Sequence, residues 1–369
     1  MHVDLYESVP EPISPRAPRR GSAPKLRAQE LMQFTQQITT LLVAGITLPD
    51  AVKTFRKGQP RSAAQQLLTA LESDLGRGLS LSQALSAFPT SFDPLYLRLI
   101  AAGESSETLE QAFGQLSALL QRKHQLQQKV RSALIHPLAI SVVACAVSAL
   151  LLIKVVPEFQ QLFGQFDRSL PALTLSVIDL SHYLRDYGLW WVGAIAFAGY
   201  ALQLAVRQHA ATKRFTHSLL LQLPLAGPIT TDACTARFAR TLATGYSAGL
   251  PIIDALTYAA TAPGNWVFAN ATEQACTSVD QGIELNAALG QTAQFPDLLI
   301  HMISVGEQAG MLEIMLQRAA DYYETRVDNA IDRLIPLLEP AMMVALGGLV
   351  GGLMLAMYLP LFQMGSVLG

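Results

Sequence analysis

Phe34, Ala44, Gly45, Asp50 and Ala51 return 204 positions later as Phe238, Ala248, Gly249, Asp254 and Ala255, and Gly78, Ala84 and Leu85 return as Gly282, Ala288 and Leu289. One residue is then dropped. Phe92, Gly103, Glu104, Leu109 and Glu110 match Phe295, Gly306, Glu307, Leu312 and Glu313 at an offset of 203, and Pro137, Pro157 and Phe159 match Pro340, Pro360 and Phe362. A register held over so many positions is an internal duplication of residues 31–159 by residues 235–362. Whatever the chain folds into must therefore use one unit twice.

Each unit runs from an amphipathic region into an apolar one. The chain is 51% hydrophobic and only 15% charged, with a mean hydropathy of +0.30, which is too oily for a soluble globule of this size. Leu138 to Val156, Leu189 to Val206 and Ala341 to Leu359 are each close to the roughly 20 apolar residues that cross about 30 Å of hydrocarbon. The expected fold is all-α: a polytopic membrane protein with two repeated cytoplasmic helical bundles and three transmembrane helices. The expected boundaries are a disordered cytoplasmic tail at 1–26, a first module at 27–137, spans at 138–156, 189–206 and 341–359, a periplasmic loop at 157–188, a linker with the second module at 207–340, and a periplasmic tail at 360–369. The tail assignment rests on Pro10, Pro12, Pro15, Pro18 and Pro24 among Arg16, Arg19 and Arg20, with no apolar core of a secretory signal.

Within the first module, Leu31, Phe34, Ile38 and Leu41 fall on one helical face, and Gly45 should stop that helix as Gly249 stops its counterpart. A second helix follows Thr47-Leu48-Pro49-Asp50, its counterpart beginning near Pro251. Ser80 and Gln83 form a capping box that Glu284 to Ala287 lacks. No breaker separates Thr108 from Pro137, or Met311 from Pro336, so the last helix of each module should run into the membrane without a linker. Pro137 and Pro340 each remove one helical hydrogen bond at the membrane entrance, which predicts a kink there.

Arg122, Lys123, Lys129 and Arg131 precede the first span, and Arg207, Lys213 and Arg214 follow the second; the intervening loop is not enriched in basic residues. This asymmetry places the N-terminus and both modules in the cytoplasm and the C-terminus in the periplasm. Lys154 is expected to snorkel to the outer interface. Gly347, Gly348, Gly351 and Gly352 form overlapping small-xxx-small patterns, which allow close helix packing, either within the chain or in a homo-oligomer.

The formal net charge of −2, without a basic stripe, argues against a nucleic-acid partner. There is no phosphate-binding loop, nucleophile elbow or metal-binding histidine spacing, and Cys145, Cys234 and Cys276 are too scattered for a disulfide framework. The chain is read as no enzyme, without cofactor. Glu104, Glu107 and Glu110 are close enough in sequence to be weighed as a hard-cation site, as are Glu307 and Glu313. The competing reading is a carboxylate beside a helix start, which needs no metal.

With these residues in view, the chain resembles the F-protein family of type II secretion systems and its type IV pilus counterparts. Phe34 to Gly45, repeated as Phe238 to Gly249, is similar to the family's module opening. Gly103-Glu104 and Gly306-Glu307-Gln308-Ala309-Gly310-Met311-Leu312 are similar to its G-E-x-x-G-x-L turn, and Leu170-Pro171, Leu223-Pro224 and Gly227-Pro228 to further landmarks. Glu107 departs from the pattern by standing at the second glycine of that turn, and His136 stands where tyrosine is common. The resemblance implies an inner-membrane platform for pilus or pseudopilus assembly. Its implied partners are a cytoplasmic hexameric ATPase, pilin or pseudopilin, other inner-membrane assembly proteins and the lipid bilayer. The alternative, a small transporter or channel, is prompted by the repeats and Lys154; an odd number of spans without inverted bundles speaks against it.

Overall fold

The computed structural model describes residues 25–58, 63–158, 172–208, 210–224 and 226–365, all helix and turn with no strand among them. The expected tail, the Leu170-Pro171 landmark and residues 366–369 lie outside the described residues, apart from Lys25 and Leu26. The first copy supplies α1 (Ala28–Val43), α2 (Leu48–Lys57), α3 (Ala63–Gly76), α4 (Leu81–Ser86), α5 (Pro94–Ser105) and α6 (Leu109–Leu150). Next come α7 (Ala172–Gln208) and α8 (Ala210–Gln222). The second copy supplies α9 (Ala226–Ser247), α10 (Ile252–Thr261), α11 (Trp266–Asp280), α12 (Leu285–Gln291), α13 (Asp297–Ala309) and α14 (Leu312–Gly365).

Matched sequence gives matched turns. The first helix of each copy stops at a glycine in the left-handed region, Gly45 at φ 77° and Gly249 at φ 78°. The N–H of the next residue reaches back to the carbonyl five residues earlier, Ile46 to Leu41 and Leu250 to Gly245. A Cβ would be strained there, which is why this stop was legible as glycine. Gly78 and Gly282 repeat the device at φ 82° and 87°. The Ser80 and Gln83 box forms, Ser80 Oγ accepting from Gln83 N at 3.2 Å.

The described chain divides into two compact units. Of the described residues, one holds those up to Gln127 together with Thr230–Thr325, and thus α1–α5, α10–α13 and parts of α6, α9 and α14; the other holds those between Gln128 and Ile229 and from Arg326 on. In the first unit Phe34, fully buried, packs edge-on against Phe55 and Phe92 with ring centroids 5.5 Å and 6.2 Å apart. Their counterparts Phe238 and Phe295 meet at 4.6 Å. Each such side chain, fully withdrawn from water, contributes about 1.5–3 kcal/mol. Tyr96 is buried among them with its hydroxyl 3.0 Å from Thr35 Oγ1, and burial pushes its phenol well above the ordinary value.

Among the described residues two helical segments are long and apolar enough to cross a membrane, Leu109–Glu158 and Leu312–Ala356, each beginning in the first unit and ending in the second. The first is not uniform: Leu151–Val155 form a π-helical turn. Residues 172–188, expected as part of a loop, are instead helical and continuous with 189–206 in α7. The reason is visible on one face: Thr174, Ile178 and Ser181, spaced at helical intervals, are buried. Ile178 joins Leu152, Val156 and Leu353 in an apolar cluster, while Thr174 Oγ1 donates to the Ala356 carbonyl at 2.6 Å and Ser181 Oγ to that of Leu152. A helix bearing Asp179, His182, Arg185 and Asp186 reads as a polar loop when only hydropathy is weighed.

Candidate functional site

The feature common to both copies is the turn from which each long helix departs. At its first position stand Gly103 and Gly306, where the preceding helix crosses the start of the long one. A Cβ on Gly103 would lie 2.7 Å from Ala112 Cβ, and one on Gly306 would lie 2.9 Å from Leu312 Cα and 3.1 Å from Met315 Cβ. Ala112 and Met315 are themselves equivalent positions. Only a residue without a side chain permits this approach.

The second position is glutamate, and its carboxylate reaches across to the short helix. Glu104 accepts the N–H of Leu81 on one oxygen and that of Ser82 at 2.9 Å on the other. Glu307 does the same to Leu285 at 2.8 Å and Asn286 at 3.0 Å, and also takes the Asn286 side-chain amide at 2.7 Å. Free amides at a helix start need acceptors, and a charged acceptor roughly doubles the strength of the bond. The glutamates therefore cap α4 and α12, helices other than their own, and pin the launching turn to the body of the bundle.

The turn closes in the same form twice. Thr108 N donates to Gly103 O and Met311 N to Gly306 O, each at 2.8 Å. The left-handed residue is Gly310 at φ 66° in the second copy and Glu107 at φ 57° in the first. Glu107 thus adopts the backbone of the glycine it replaces, and the turn keeps its shape. The three glutamates weighed as a cation site do not converge: Glu104 is committed to amides, while Glu107 and Glu110 are exposed. Among the described residues no group of three or more His, Cys, Asp or Glu is placed to hold a metal ion.

Beyond the turns, Arg240 of α9 donates to both carboxylate oxygens of Glu324, each at 2.9 Å, and to Asp321, both on α14. Burial works against its charge, but these carboxylates outweigh it and hold its pKa above the usual arginine value. Arg122 of α6 approaches Glu324 to 3.9 Å. Further along, Lys129 of α6 donates to Asp332 at 2.9 Å and lies 3.3 Å from Asp328, both on α14. The hydrogen bond to Asp332 raises its pKa.

Pro137 lies inside α6 and Pro340 inside α14, neither helix ending there. Lys154 sits exposed in the π-helical turn. Gly347, Gly348, Gly351 and Gly352 lie on α14, where an added Cβ would meet no described atom within 4 Å. The residues of α14 that do pack here are Leu353 and Ala356. Sequence reasoning missed the capping role of Glu104 and Glu307, whose partners are about 22 residues upstream. The recurrence of Gly-Glu in both copies was the available signal.

The pattern of the type II secretion system (T2SS) protein F family matches residues 34–157 and 238–360, once in each copy. The chain is 39% identical over 353 residues to the type IV pilus assembly protein PilC of Pseudomonas aeruginosa, covering 95% of this chain and 93% of that one. It is 41% identical over 336 residues to the type 4 fimbrial assembly protein PilC of Pseudomonas putida, covering 91% and 84%. To the type II secretion system protein F of Pseudomonas aeruginosa it is 33% identical over 345 residues, covering 93% and 85%.

Proposed function

Because the chain belongs to the type II secretion system protein F family, we propose that it is the inner-membrane platform of a fibre-assembly machine, working as a mechanical coupler rather than a catalyst. The observation that carries this reading is the launching turn: in both copies a glycine crossing and a glutamate cap fix the bundle to a long helix that continues, unbroken by any loop, into a stretch able to cross a membrane. A displacement of the bundle is then handed to the membrane helix without slack.

The bundles face the cytoplasm, where an assembly ATPase would act on them. The chain crosses the membrane three times, through the outer parts of α6 and α14 and through residues 189–206 of α7, and pilin or pseudopilin docks beside those spans. The basic residues before the first span and after the second support this orientation. The greater identity to the Pseudomonas aeruginosa PilC than to the protein F of the same organism favours a pilus-type machine. Deleting the gene in its host should abolish surface pili, and the intact gene on a plasmid should restore them. Normal piliation in the deletion strain, with loss of a secreted protein instead, would reassign the chain to a secretion machine; no loss of either would end the platform reading.

A further inference from the structure

The two bundles meet through different faces. The first copy contributes α5 and α6: Arg98 Nε donates to the Tyr258 hydroxyl at 3.1 Å, and Gln115 Nε2 to Ser247 Oγ at 3.1 Å. The second copy contributes the corner between α9 and α10, with Ala248, Leu250 and Tyr258 packed against the first copy's apolar core. A two-fold relation would repeat this contact with the roles exchanged. It would set the second copy's equivalents of Arg98 and Gln115, His301 and Arg318, against the first copy's equivalents of Ser247, Ala248 and Tyr258, which are Val43, Ala44 and Thr54.

Those five positions are all exposed, Val43 at 64%. Leu298 shows the same asymmetry, being 40% exposed where its equivalent Leu95 is 8% exposed. The contact is therefore head-to-tail, and among the described residues one socket on the second copy and one corner on the first stay exposed. A head-to-tail contact between molecules closes into a ring or runs on as an open filament, according to the rotation between neighbours.

We propose that the Val43–Thr54 corner of one chain seats on the Leu298–His301–Arg318 face of a second copy of this chain, repeating between molecules the contact that joins the bundles within one. The occupant is another copy because the surface is the equivalent of one already filled by this protein's own corner.

Two differently tagged full-length chains, one Val43→Cys and the other His301→Cys, are co-expressed and treated in isolated membranes with a short bis-maleimide. The wild-type pair, which retains Cys145, Cys234 and Cys276, gives the background. A cross-linked product carrying both tags, above that background and lost when Leu298→Asp is added to the His301→Cys chain, is the expected result. A Gln115→Cys, Ser247→Cys double variant must cross-link within one chain and certifies that the bundles are assembled. With that control positive, three results would overturn the proposal: no product with both tags, a product only between two Val43→Cys chains, or capture of Val43→Cys by a different protein alone.

Discussion

Lys129 and Asp332 hold the same place in the two copies, 203 residues apart, and the ammonium of one donates to the carboxylate of the other at 2.9 Å. Two identical chains meeting at such a point would place like charges together. Fusing the copies into one polypeptide lets the position diverge into a complementary pair.

Lys129→Glu should therefore set three carboxylates against one another, with Asp328 the third. A partly exposed pair is worth about 0.2–1 kcal/mol, so the expected loss in unfolding midpoint in detergent is small and shrinks with added salt. Lys129→Glu combined with Asp332→Lys should recover most of it. The sign with pH follows from the raised pKa of Lys129: its contribution is complete below the ordinary lysine value of 10.5 and fades as pH rises past it.

The capping glutamates predict an asymmetry among carboxylates three to six residues apart. Glu104→Ala and Glu307→Ala each leave two helix-start amides without their acceptor and should cost about 1–3 kcal/mol. Glu110→Ala, exposed in the first turn of α6, should stay within about 0.5 kcal/mol. Chemical unfolding of the three variants, followed by helix content, ranks them; equal costs would remove the cap from the account.

At the left-handed position the two copies invite opposite substitutions. Glu107→Gly should stabilise by about 0.5–1 kcal/mol, because glycine relieves a φ of 57°. Gly310→Ala should destabilise by a similar amount. Gly306→Ala should cost more than either, since its Cβ meets backbone at 2.9 Å. Thermal midpoints of the three variants suffice.

Cys234 is 2% exposed, and burial pushes its thiol pKa up to about 11. It should resist maleimide in the folded protein and react once denaturant is added, as mass spectrometry of labelled peptides would show. Between the ordinary cysteine value of 9.0 and about 11 the unfolded chain releases this proton and the folded chain keeps it, so stability should fall as pH rises through that window.

The kink proposed at Pro340 predicts that alanine there, by giving back the N–H that proline lacks, straightens α14. Spin-label distances between positions flanking residue 340 should lengthen, and piliation should fall. Unchanged distances would mean that the proline bends nothing.

Much of the fold was legible because glycine stops and apolar spacing act over a few residues. Gly45, Gly249, the Ser80 cap and the helices leaving Thr108 and Met311 all rest on such local signals. What escaped was set at a distance. The hold of Glu104 on Ser82 spans 22 residues and that of Thr174 on Ala356 spans 182, and no periodicity announces either. The helix at 172–188 was hidden for the opposite reason: its charges outweighed a buried stripe of three residues. Of the candidate site, the Gly-Glu pairs were legible from their recurrence, whereas their chemistry depends on amides about 22 residues away that only the folded chain brings near.

The π-helical turn at Leu151–Val155 has no counterpart in α14, although the two sequences stay in register through it. A π turn spends more residues on each revolution than an α turn, so the backbone leaving it is rotated by roughly a quarter turn relative to that leaving the matching stretch of α14. The duplicated helices thus leave the launching turns in phase and finish out of phase. One duplicated sequence therefore yields two helices that part in rotation at this turn, and a surface shaped to the first would not fit the second.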